Sequence, residues 1–98
     1  MESSGQYKVT PLQTGSLFVN KRMEATSGVA MPRHKSSIES VLVVTDGRCV
    51  IRFADDNHTV AQGESFVVPA HMWHQVVADP DFKAVHIMPK EIRFEFSR

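Results

Sequence analysis

Five histidines and a single cysteine are the side chains of this 98-residue sequence with the widest chemical reach. Imidazole titrates near neutrality, binds metal ions through either ring nitrogen, and serves as general acid or base. Two of the five stand in comparable settings. His34 opens HKSSIESVLVVTDG, a polar run that enters a β-branched segment and stops at Asp46-Gly47. His74 closes GESFVVPAHMWH, which begins at Gly63. Two imidazoles brought together in one pocket would hold a polar guest or a metal ion. His58 lies in the polar run DDNHT and reads as surface. His71 and His86 read first as ordinary hydrogen-bonded residues. His71 sits in a loop that could swing toward a site, and the facing of His86 in FKAVHIM is open. Cys49, in RCVIRF, reads as a small buried strand residue, because neither a CxxC nor an activating partner lies nearby.

The elements that must position these residues are strands. Ser16 to Ala25 alternates, with Leu17, Val19, Lys21 and Met23 on one parity. Val29 to Arg33 is a short extended piece, since Pro32 keeps Met31 out of the α region. Ser40 to Thr45 is apolar on both parities, which predicts burial on two sides. Asp46-Gly47 predicts a tight hairpin turn, with Arg48 to Phe53 as the return strand. Further strands are expected at 58–60, 65–68, 74–78, 82–88 and 92–96, with Asp79-Pro80-Asp81 as a turn. No stretch combines a helical period with caps. Many short strands separated by turn chemistry predict an all-β sandwich or barrel. Residues 1–15 are expected to form an N-terminal arm or edge strand, and 16–98 the barrel.

Bulk properties exclude several classes. The formal net charge is zero and Lys and Arg are scattered, so there is no electrostatic footprint for nucleic acid or an anionic membrane. No apolar run approaches a transmembrane span, and MESSGQYKVT is not a signal peptide. One cysteine excludes an intramolecular disulfide and is compatible with a reducing, cytoplasmic setting.

The spacing in the two histidine stretches resembles that of the small single-domain cupins, a family of double-stranded β-helix (jelly-roll) barrels. The first cupin motif runs Gly, five residues, His-x-His, three or four residues, Glu, six residues, Gly. Gly28, His34 and Gly47 match it, whereas Ser36 stands at the second His and Ser40 at the Glu. The second motif runs Gly, five residues, Pro-x-Gly, two residues, His, three residues, Asn. Gly63, Pro69 and His74 match it, while His71 takes a Gly slot and Ala78 the Asn. The resemblance covers roughly residues 16 to 90. It implies an all-β jelly-roll cupin barrel and, in complete members, a divalent metal held by three histidines and a glutamate. Of those four ligands, His34 and His74 remain.

Two classes of function follow. The first is a binding protein with a small-molecule pocket formed by His34, Ser36, Ser40 and His74 over an apolar floor of Leu42, Val44 and Val76, with Phe66 as a further floor candidate. Serine hydroxyls are poor metal ligands but good partners for a polar guest. The second is a metal-dependent enzyme of dioxygenase or isomerase type. There His34 and His74 would hold iron, manganese, nickel or zinc, with Glu39 or His71 completing the site. A metal-free enzyme would use His34 or His74 as general base. Whether the chain is an enzyme is left open. Trp73 suits either a pocket rim or an interface. Met23, Met31, Met72 and Met88 read as core filling ahead of pocket lining. Arg52 is the candidate for an inward arginine. The two-sided apolar SVLVV and the terminal IRFEF offer a surface for a homodimer.

Overall fold

The computed structural model describes residues 6–97. Residues 1–5 of the expected arm lie outside that range. Within it the chain folds into strands: β1 (Tyr7–Thr14), β2 (Phe18–Ala25), β3 (His34–Ser36), β4 (Ser40–Arg52), β5 (Asn57–Ala61), β6 (Ser65–Val68), β7 (Gln75–Pro89) and β8 (Phe94–Phe96). Among the described residues, no helix is long and apolar enough to cross a membrane.

One sheet runs β1-β2-β7-β4-β5, with β6 beside β5 on the same edge of β4; β3 and β8 form a second, two-stranded sheet. All pairings are antiparallel. The extended piece 28–34 closes the structure along the start of β7. Gly28 donates to Ala78 O at 2.9 Å, Ala78 to Val29 O at 3.0 Å, and Met31 to Val76 O at 2.9 Å.

Two expected turns are not turns. Asp46-Gly47 lies inside the 13-residue strand β4, and Asp79-Pro80-Asp81 lies inside the 15-residue strand β7. The β4–β7 register shifts between Val44 and Asp46 and again between Gly47 and Cys49, so these residues form a bulge in a continuous ladder. Gly47 has φ 69°. A bulge calls on positive φ as a type I′ turn does, which is why the dipeptide resembled a hairpin. Arg48 Nε caps the irregularity by donating to Asp79 O at 2.6 Å. The second half of β4 pairs with β5 and the first with β6, which follow one another in the same direction, so the real reversal is the turn at 53–56, where Phe53 N–H donates to Asp56 O at 2.8 Å.

Alternation sets the core. On β4, Ser40, Leu42 and Val44 point inward, as do Cys49 and Ile51 beyond the bulge. Leu42, Val44, Cys49, Ile51 and Phe82 are at most 2% exposed, each large apolar side chain contributing about 1.5–3 kcal/mol by leaving water. Burial raises the Cys49 thiol to about 11, which fits an inert core position. The other parity of β4 faces outward and is only half-buried. Val67, Val41 and Ile87 form one outer row across β6, β4 and β7, with Val43 and Val85 in the next. Phe94 and Phe96 of the terminal strand instead turn toward a cavity inside the barrel.

Candidate functional site

His34 and His74 form a directly opposed antiparallel pair. Each backbone N–H donates to the other's carbonyl at 2.9 Å. Opposed residues of such a pair put their side chains on one face, and here the ring centroids are 4.5 Å apart. Backbone register thus brings these two imidazoles together.

Both rings are anchored by the same local device. His34 Nδ1 lies 3.0 Å from Pro32 O, and His74 Nδ1 lies 2.9 Å from Met72 O. A carbonyl only accepts, so Nδ1 carries the proton. When the ring is uncharged, Nε2 then holds a bare lone pair. No hydrogen-bond partner meets either Nε2 among the described residues. His74 is 3% exposed, so its free Nε2 is buried. Phe53 packs on the His74 ring and Phe94 meets His34 edge-on, which holds both planes in place.

The rings open onto a cavity of about 260 Å³, lined by both histidines together with Leu42 and Val76 of the expected floor. Val44 and Phe66 do not line it: Val44 is fully buried, and Phe66 stacks with Phe53 and His58. Met23, Met31 and Met88 are core residues that also face the cavity, whereas Met72 is exposed.

The serines do not line it either. Ser36 is 3% exposed and its hydroxyl donates to Ile38 O at 2.9 Å. Ser40 is 4% exposed and shares a 2.7 Å hydrogen bond with His86 Nε2. Both hydroxyls are spent inside the protein.

His86 is the site residue that sequence reasoning left undecided. It pairs with Leu42 across β4–β7 and with Lys21 across β2–β7, and all three line the cavity. Burial, then repulsion from His34, His74 and Lys21, pushes its pKa down to about 4. His74 is also lowered. Burial dominates, opposed by its bond to Met72 O and assisted by His34.

The proposed completing ligands lie elsewhere. Glu39 is exposed, on the outward parity beside inward Ser40. His71 is exposed and borders a separate groove with Lys35, Ser37 and Arg93. Its φ of 65° places it in the left-handed region, at the position where the second motif has glycine. Arg52 is exposed and does not turn inward. Trp73 lies under the cations of Arg33 and Lys35, 5.3 and 4.9 Å from its ring centroid, outside the cavity lining. Among the described residues, no three His, Cys, Asp or Glu side chains are arranged to hold a metal ion. With His86 Nε2 engaged by Ser40, the two free imidazole nitrogens fall short of the three protein ligands usual for a resident zinc.

Comparison with known proteins agrees with this architecture. A family model described as a cupin domain matches residues 21–88. No curated protein matches the chain. Among solved structures, a cupin superfamily protein from Desulfitobacterium hafniense is 19% identical with a TM-score of 0.78, over 91% of this chain and 83% of the other. The polyketide cyclase RemF from Streptomyces resistomycificus is 20% identical with a TM-score of 0.75, over 86% and 63%. A salicylate 1,2-dioxygenase from Pseudaminobacter salicylatoxidans is 11% identical with a TM-score of 0.80, over 92% of this chain and 30% of the enzyme. At these identities the likeness is one of fold.

Proposed function

Because this chain belongs to the cupin-domain family, we propose that it binds a small molecule in its barrel cavity, without a resident metal. The observation that carries this reading is the matched anchoring of His34 and His74. Each Nδ1 donates to a backbone carbonyl, which leaves each Nε2 free toward the cavity. A buried acceptor without a partner is costly, and a guest that donates a hydrogen bond relieves that cost. The cavity is smaller than the roughly 300–1,000 Å³ common for drug-sized ligands, so a compact guest fits it.

A second reading, proton-transfer catalysis on the bound molecule, is favoured by the same geometry. An imidazole oriented through Nδ1 with a free Nε2 is arranged as a general base, and burial lowers the His74 pKa, which favours its uncharged form. The metal-dependent dioxygenase or isomerase reading lacks its completing donors, since Glu39 and His71 point away and Ser36 and Ser40 are engaged internally.

Metal retention tests the proposal. Protein incubated with excess iron(II), manganese, nickel or zinc and then desalted is expected to keep well under one equivalent per chain by elemental analysis. A full equivalent, lost in both His34→Ala and His74→Ala, would overturn the metal-free reading.

A further inference from the structure

We infer that the guest is an amphipathic organic anion, a compact apolar body with one carboxylate held between Lys21 and the histidine cluster. This inference rests on the pocket reading above and names its ligand class.

Lys21, His34, His74 and His86 reach the cavity, with Tyr7 also in its lining, and among the described residues no aspartate or glutamate lines it. Lys21 sits on the inward parity of β2, beside Met23, and pairs with His86. Among the described residues, no carboxylate forms an ion pair with it. Beside mostly apolar walls, the attraction of this ammonium for an anion exceeds that in bulk water.

The free Nε2 of His74 belongs to a residue that is only 3% exposed. It accepts a proton that Lys21 cannot. A carboxyl group satisfies both partners. One oxygen accepts from the Lys21 ammonium, and the other carries a proton shared with a histidine Nε2. The carboxylate and one solvent proton enter together, so charge and protons balance without any covalent step.

Tyr7, Val9, Phe94 and Phe96 all border the cavity although 38–59% exposed, forming an apolar mouth around the polar end. A sugar or other polyhydroxylated guest would leave many hydroxyls against that surface without partners. A cationic guest would meet Lys21 and three imidazoles.

Calorimetric titration with two matched sets tests the inference: cinnamate, cinnamamide and cinnamylamine, and hexanoate, hexanamide and hexylamine. The acid of at least one set is expected to bind tenfold or more tighter than its amide, with no detectable amine binding. Lys21→Met is expected to lower acid affinity to that of the amide. The urea midpoint of this variant checks its fold, and the wild-type comparison stands without it. An amide that binds as well as its acid, or a preferred amine, overturns the anion assignment while the pocket reading survives. If no compound binds or moves the His34 and His74 ring resonances, both fall.

Discussion

Replacing Gly47 with alanine is expected to remove roughly 2–5 kcal/mol of stability, the sum of two separate costs. The left-handed backbone at φ 69° costs a residue with a Cβ roughly 1–2 kcal/mol. The new methyl would also fall within the van der Waals envelope of the Asp81 carbonyl oxygen, 2.9 Å from its carbon and 3.1 Å from Phe82 Cα. Those atoms are backbone of the paired strand β7, so they yield only if the ladder shifts, and overpacking of this kind costs about 1–3 kcal/mol. A domain of this size holds roughly 5–15 kcal/mol in total, so much of the folding free energy goes. Gly63→Ala is the control. Its φ is 85°, yet nothing lies within 4 Å of a Cβ built there, so only the backbone cost of roughly 1–2 kcal/mol applies. Urea denaturation of both variants measures the difference. Equal losses would mean that the close approach of β4 and β7 at the bulge is not as described.

Acid is expected to weaken the fold through His86. Its folded pKa of about 4 lies below the ordinary 6.5, so between those values the unfolded chain binds a proton that the folded chain refuses. Stability from this residue is therefore fully present above pH 6.5 and drains away as pH falls toward 4. A gap of this size corresponds to roughly 3 kcal/mol. The lowered His74 acts in the same direction. Denaturation midpoints taken from pH 7.5 to 4 trace the loss. His86→Gln keeps a hydrogen-bonding side chain beside Ser40 without the titrating imidazole, and is expected to flatten the profile. A wild-type profile that is already flat would contradict the burial of His86.

Strand existence was legible because the alternation is strong. Residues 65–68 read as a strand from pattern and are β6 to the residue. Strand continuity was not legible. Asp46-Gly47 and Asp79-Pro80-Asp81 carry turn chemistry, and a bulge draws on the same left-handed and constrained conformations as a turn. Only the register between β4 and β7 separates the two outcomes. His34 and His74 were placed by motif spacing, which reports where the fold needs a residue. Spacing is silent on what a side chain bonds to. It identified Ser36 and Ser40 as pocket donors, yet both hydroxyls are engaged inside the protein. His86 shares its parity with Phe82, Ala84 and Met88, which face the core, and that was the available signal. Val85 and Ile87 on the opposite parity are equally apolar, so the signal did not decide the facing.

The central claim is that His34 and His74 present bare Nε2 atoms to a cavity that receives a small molecule. Long-range nitrogen–proton correlation of the histidine rings, at pH 7.5 with and without each acid, amide and amine of the two probe sets, tests it most directly. The structure predicts Nδ1-protonated rings for both residues, with Nε2 signals that move on addition of a bound probe while those of surface His58 stay in place. A proton on Nε2 of either ring in the free protein, or pocket signals unmoved by every probe, would contradict it.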